Sequence, residues 1–381
     1  MSPLAQTLRI PKDLLPADGR FGCGPALIRP ASIEAITTSG IMGTSHRQAP
    51  VKDLVGRIRE GLTELFTAPD HRVVLGNGGS TTFWAIATAC LVRKRSAHAV
   101  FGEFGSKFAQ ETTNAPFLDS PFIAEGATGT LAVLDKAVEG VDAYAWPQQE
   151  TSTGVVSPVR RVPDTHDALT LVDATSIAGS VQVDVSQTDA YYFAPQKALG
   201  SDGGLWVALM SPAAIERAEE LCAAKATPDN PQGRWIPAIL DLKQAIDNSV
   251  KNQTLNTPAL ATLIMLEDQI RWLLDNGGLP FAQARVEESS QAIYHWAASR
   301  SWANPYVANP DWRSPVVCTI DLDEDVSATA VLDVLRANGI VDLGAYRNLG
   351  RNQLRIGVFP NTDPQDAAAL IACVDWVVQR L

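Results

Sequence analysis

Lys197 stands in Pro195-Gln196-Lys197, just after the apolar run DAYYFA and just before Gly200-Ser201-Asp202-Gly203-Gly204. Upstream, Asp173 closes another apolar run, LTLVD, and leads into Ala174-Thr175-Ser176. Farther back, Gly78-Gly79-Ser80-Thr81 separates the run RVVLG from the helical pattern FWAIATACLV. A lysine amine can form an imine with an aldehyde, and a carboxylate can keep a pyridine nitrogen protonated so that the ring draws electrons from the attached carbon. The first amides of a helix can hold a phosphate dianion. Together the three parts fit pyridoxal 5′-phosphate (PLP). Each alone has an ordinary explanation: a lysine after a strand is usually a solvated charge, and an aspartate there commonly caps the next turn of chain. Only their conjunction points to a cofactor.

These residues need elements to position them. Between about residues 70 and 210, short apolar runs (Arg72–Gly76, Ala99–Gly102, Ala143–Trp146, Leu169–Asp173, Asp189–Ala194, Leu205–Met210) alternate with helical patterns. That alternation predicts an α/β fold with a mostly parallel sheet covered on both faces. An acid at the C-terminal end of a central strand then lies where open α/β sheets bind ligands.

After Asn256-Thr257-Pro258 the texture changes to long helices, roughly Ala259–Leu274 and Phe281–Ser299, and then to strands Ser314–Leu322 and Gln353–Phe359. Between those strands lies a helix with Val331, Leu332 and Leu335 on one face. A terminal helix sets Ile371, Val374 and Val378 together. The expected organisation is an N-terminal segment over 1–18, a large unit over 19–257 and a smaller α+β unit over 258–381. Ala223–Gln232 is the expected mobile surface loop.

Hydrophobic residues make up 46% of the 381 residues and charged residues 19%, which describes an ordinary globular chain. A formal net charge of −11 argues against a general nucleic-acid or anionic-membrane surface. It leaves room for an anionic substrate held by a few local arginines. Five scattered cysteines without a CxxC pair fit a reducing compartment and offer no zinc site. With no signal-like or membrane-spanning apolar run, the expectation is a cytoplasmic protein with no metal.

Several longer segments carry a resemblance: GRFGCGP (19–25), GTSHRQAPVKDLVGRIREGL (43–62), LGNGGSTTFW (75–84), FGEFGSKFA (101–109), QETSTGV (149–155), VDATSIAG (172–179), DAYYFAPQKALGSDGGLWVALMSP (189–212), NSVKNQTLNTPALATL (248–263) and YRNLGRNQLRIGVFP (346–360). In this order, over nearly the whole chain, they resemble the phosphoserine aminotransferases in their actinobacterial form. These are class-V aminotransferases of the aspartate-aminotransferase-like PLP fold (fold type I). The resemblance implies a large unit with a mostly parallel seven-stranded sheet and a small α+β C-terminal unit.

It also implies roles. Lys197 would be the imine-forming lysine, Asp173 the partner of the pyridine nitrogen, and Gly79 and Ser80 the phosphate turn, with Gln196 near the phosphate. Thr151 would bond the phenolic oxygen, and Phe104 would stack on the ring. Asn256 and Thr257 would reach the phosphate of a neighbouring subunit in a homodimer with shared active sites. His46, Arg47, Arg347 and Arg355 would bind substrate. Ser80 stands where many members carry arginine, Tyr346 where many carry histidine, and Cys23 where serine is common.

The implied reaction moves the amino group of L-glutamate to 3-phosphohydroxypyruvate, giving O-phospho-L-serine and 2-oxoglutarate, with a related four-carbon substrate of vitamin B6 synthesis as an extension. Arginine's planar fork suits such doubly anionic substrates. Two rivals are a cysteine desulfurase or PLP lyase, and a non-catalytic PLP-binding module. Cys318 and Cys373 read as core residues, which weakens the first, and no basic or DNA-binding segment supports the second.

Overall fold

Runs such as LTLVD and LWVALM have no polar face, so they suit strands covered on both sides. In the computed structural model, which describes residues 7–381, they build the middle of a seven-stranded sheet. Residues 1–6 of the expected N-terminal segment lie outside the described residues.

The elements of the first half are α1 (Pro30–Thr38), α2 (Ala49–Leu65), β1 (Arg72–Asn77), α3 (Ser80–Cys90), β2 (Ser96–Val100), α4 (Glu103–Asn114), β3 (Phe122–Glu125), β4 (Ala143–Pro147), β5 (Gln149–Glu150), β6 (Val155–Val156), β7 (Leu169–Asp173), β8 (Ala190–Phe193) and β9 (Leu205–Met210). The sheet order is β1-β9-β8-β7-β4-β2-β3, while β5 and β6 pair as a separate ribbon. β9 alone runs against its neighbours. The remaining adjacent pairs are parallel, as expected for strands joined through helices.

Successive residues of a strand point to opposite faces. Leu75, Val172, Tyr191 and Val207 therefore enter one core, which contains Leu54, Ile58 and Leu62 of α2. Their neighbours Val74, Leu171, Tyr192 and Trp206 enter the other core, with Phe83 and Ile86 of α3. α5 (Pro212–Ala223) and α6 (Leu242–Val250) cover that second face. α5 starts with Pro212 at its first position, where a missing N–H costs nothing, and the Ser211 side chain accepts from Ala214 N–H.

The remaining elements are α7 (Leu260–Asp275), α8 (Gly278–Ala298), β10 (Ala303–Pro305), β11 (Val317–Leu322), α9 (Ala328–Ala337), β12 (Gln353–Gly357) and α10 (Pro364–Val378). β10, β11 and β12 form an antiparallel sheet whose core holds Ile293, Ile320, Val331, Leu335, Ile356 and Val374. Several details depart from the sequence reading. α7, expected in the C-terminal unit, buries Leu263, Ile264 and Ile270 in the core of the large sheet. The N-terminal residues Ile10 and Phe21 instead join the small core, with Ile10 N–H donating to Asn338 Oδ1 at 3.0 Å. The buried stripe of α10 is Leu370, Cys373, Val374 and Val377, leaving Ile371 and Val378 at its rim. Ala223, expected to open the surface loop, is the last residue of α5, so the loop starts at residue 224, and Ala226 N–H within it donates to Arg234 O at 2.8 Å. Among the described residues no helix is long and apolar enough to cross a membrane.

Candidate active site

The parallel strands and β1 end at one edge of the sheet, and the expected cofactor residues sit in the turns that leave it. Asp173 is the last residue of β7, and only 8% of it is exposed. Burial pushes its carboxyl above the usual range. Hydrogen bonds oppose this: Oδ2 accepts from Trp84 Nε1 at 2.8 Å, and Oδ1 accepts from Thr175 N–H at 2.9 Å and from the Thr175 hydroxyl. The Thr175 hydroxyl also lies 2.6 Å from Ser80 Oγ. One short chain of contacts thus joins the aspartate at the end of β7 to the first residue of α3.

The start of α3 is the expected phosphate turn. Thr82 N–H already donates to Gly79 O at 2.9 Å, but the Ser80 and Thr81 N–H groups precede any intrahelical acceptor, and a Cβ at Gly79 would meet no protein atom within 4 Å. That open space beside free N–H groups fits a dianion. The buried Gln196 Oε1, an acceptor, has no partner among the described residues.

Lys197 lies in the turn beyond β8. Burial pushes its ammonium down to about 8, with Arg355 acting in the same direction. Gly24 is packed against it: at φ 135°, a Cβ there would sit 2.3 Å from Lys197 Cε and 2.8 Å from Nζ. The Lys197 Nζ lies 5.8 Å from the centre of the Phe104 ring. Phe104 is the second residue of α4, and Tyr346 meets its ring edge-on at 5.9 Å. Arg355, on β12, donates to Thr151 O at 3.2 Å and stacks over Tyr346 at 5.4 Å. Lys197, Asp173, Ser80, Phe104, Thr151 and Arg355 therefore converge, although Thr151 and Arg355 are 204 positions apart.

A second group is exposed. Thr257 Oγ1 and His46 Nδ1 are 3.3 Å apart, and Arg47 donates to Gln253 Oε1 at 3.1 Å. Asn77 ties this group to the phosphate turn by accepting from Asn256 N–H at 3.3 Å and donating to Thr257 O at 3.2 Å. Arg347 lies in a single helical turn whose next residue, Asn348, donates to Glu103 Oε1 at 3.1 Å. Arg47 and Arg355 give their hydrogen bonds to neutral oxygens, which leaves both charges available to an anion.

Sequence reasoning passed over Trp84, Thr175 and Glu150. Trp84 was legible in principle, because it lies four residues after Ser80 and so on the same helix face. All five cysteines are free and buried. The one beside Lys197 is Cys23, whose thiol burial pushes up and whose Sγ lies 3.7 Å from Arg355 O.

Residues 32–342 match the family model described as aminotransferase class-V. A phosphoserine aminotransferase of a Nocardioides species is 53% identical over 99% of this chain and 100% of its own. A Mycolicibacterium vanbaalenii protein provisionally given the same name is 54% identical, with the same two coverages. Among solved structures, a PLP-bound phosphoserine aminotransferase from Trichomonas vaginalis superposes with a TM-score of 0.79 at 18% identity, covering 93% of this chain and 99% of that one. At that identity the superposition speaks for the fold, while the two relatives speak for the family. The chain belongs to the class-V aminotransferases and, within them, to the phosphoserine aminotransferase family.

Proposed function

We propose that this enzyme holds PLP on Lys197 and reversibly transfers the amino group of L-glutamate to 3-phosphohydroxypyruvate, giving O-phospho-L-serine and 2-oxoglutarate. The observation that carries the reading is the convergence on one edge of a buried amine, a hydrogen-bonded buried carboxylate and an arginine without a carboxylate partner. When bound, PLP supplies the electron sink that lets the bond between hydrogen and the amino-bearing carbon ionise.

The chain supplies the rest. Trp84 and Thr175 fix the Asp173 carboxylate so that it can hold the proton of the pyridine nitrogen. The amides after Gly79, with Ser80 and Gln196, take the cofactor phosphate. Phe104 covers the ring, and Thr151 bonds its phenolic oxygen. Lys197, with its pKa near 8, has a usable unprotonated fraction at neutral pH, so Nζ can take a proton from the substrate carbon and return it. Arg355 takes a substrate carboxylate, and His46, Arg47 and Arg347 take the second anionic group.

Asn256 and Thr257, exposed at the rim, serve a neighbouring subunit in a homodimer. The setting is the cytoplasm, with serine synthesis as the main role and the four-carbon step of vitamin B6 synthesis as a second substrate. A desulfurase would need a mobile nucleophilic thiol, and the one cysteine beside Lys197 is buried with its pKa raised.

The test mixes purified protein, PLP and glutamate with 3-phosphohydroxypyruvate, or with pyruvate as control, and follows 2-oxoglutarate and phosphoserine. Fast turnover restricted to the phosphorylated acceptor is expected. Equal or faster turnover with pyruvate would remove the phosphate role from His46, Arg47 and Arg347.

A further inference from the structure

Glu150 has no exposed surface, and none of the roles above uses it. A carboxylate buried without partners would be strongly destabilising. Here four hydrogen bonds from two separate segments surround it. Oε2 accepts from the backbone N–H of Phe104 at 3.0 Å and of Gly105 at 3.1 Å. Oε1 accepts from the Ser152 hydroxyl at 2.7 Å and from Ser152 N–H at 3.2 Å. Ser152 Oγ in turn accepts from Glu103 N–H at 3.1 Å.

The amides of Glu103, Phe104 and Gly105 are first-turn donors of α4, which no intrahelical carbonyl can satisfy. Glu150 therefore occupies the place that an anion takes at other helix starts. The approach is so close that a Cβ at Gly102 would lie 2.2 Å from Glu150 Cγ. Glycine is required there. The carboxylate joins two parts of the site: Phe104, whose ring centre is 5.8 Å from Lys197 Nζ, and the turn that begins at Thr151, whose carbonyl accepts from Arg355.

We propose that Glu150 is a positioning residue that clamps the first turn of α4 to the Thr151 turn and so fixes the Phe104 ring and the Thr151 hydroxyl around the amine of Lys197. The inference rests on the PLP reading, because the ring and the hydroxyl matter through the cofactor they would touch. Glu150→Gln keeps the shape but turns an NH2 toward groups that are themselves donors. Ser152→Ala is the milder variant, since it keeps the carboxylate and removes one link.

Three measurements on the full chain decide the matter. The first is backbone amide exchange at Phe104 and Gly105 in protein stripped of cofactor. The second is the visible circular dichroism per bound PLP. The third is a double-mutant cycle of Glu150→Gln with Phe104→Ala, read as PLP affinity. Glu150→Gln should speed exchange at both amides by about tenfold and weaken PLP binding by about tenfold, the scale of lost charge-assisted hydrogen bonds. It should also clearly reduce the dichroism, and most of its effect on affinity should vanish once Phe104 is absent. Ser152→Ala should shift each quantity in the same direction by less.

Unchanged exchange, or effects of the two substitutions that simply multiply, would overturn the proposal. So would a lowered melting temperature with normal dichroism, because that pattern belongs to a purely structural residue. Wild-type protein that takes up no PLP would instead sink the functional reading, and the exchange rates would still show whether Glu150 clamps α4.

Discussion

The two halves of the candidate site are finished to different degrees. In the buried half, Asp173 accepts from Trp84 and Thr175, Thr175 reaches Ser80, and Lys197 is packed against Gly24. In the exposed half, the Arg47 guanidinium donates to the neutral Gln253 Oε1, and the inward-facing His46 Nε2 has no partner among the described residues. Groups that polarise a resident cofactor benefit from being fixed before it arrives, since they need no rearrangement during the reaction. Groups that would meet substrates arriving and leaving in turn can be left for the ligand to organise.

That contrast can be broken by experiment. Lys197→Ala should abolish visible absorbance from bound PLP and lower turnover by about a thousandfold or more, the scale of removing both covalent and proton-transfer roles. Turnover near the wild-type level would mean that the buried half is not the reacting half. Arg355→Ala should lower kcat/KM for glutamate by about ten- to a hundredfold, mostly through KM, as expected for one charge-assisted contact to a carboxylate. A loss confined to kcat would instead give Arg355 a role in the reacting step and not in binding the carboxylate.

Trp84→Phe keeps the aromatic packing and removes one hydrogen bond to Asp173. It should weaken PLP binding by about fivefold to tenfold, measured by equilibrium dialysis, and leave substrate KM nearly unchanged. A matching rise in substrate KM would show that the two halves are coupled.

An effect of comparable size concerns stability without cofactor. The Lys197 pKa is lowered on folding, so the unfolded chain binds more protons than the folded chain between about pH 8 and pH 10.5. Burying this amine therefore destabilises the protein below about pH 8, and the penalty fades as pH rises through that window. Lys197→Met should stabilise the cofactor-free protein at pH 7 by on the order of 1–2 kcal/mol, with the advantage shrinking toward pH 10 in urea melts. An advantage independent of pH would point to packing and not to charge.

Much of the buried half was legible in the sequence because its parts are local. Asp173 ends an apolar run, Gly79 and Ser80 separate a strand from a helix, and strands with no polar face announce a sheet covered on both sides. What joins those parts was not legible. Arg355 meets Thr151 across 204 positions, and Thr175 meets Ser80 across 95, distances at which spacing says nothing. Glu150 shows another limit. A glutamate on a two-residue strand reads as a surface charge until the helix start that buries it is known. The sheet's edge strand β3, with Phe122 and Ile123 exposed, was also missed, since a four-residue run lacking a buried face gives a weak pattern.

The small unit has a consequence for how the chain is made. Its core needs Ile10 and Phe21 together with β12 and α10, and Ala17 N–H donates to Asp366 Oδ1 at 2.6 Å across 349 positions. On the ribosome, the segment around Ile10 emerges before β12 and α10 and must wait for both before its seat exists. The large sheet between them can assemble meanwhile, because its strands and helices have already left the exit tunnel. Vectorial synthesis thus sets an order on this fold, in which Ile10 and Phe21 settle only after α10 is made and their apolar side chains stay open to chaperones or to aggregation until then.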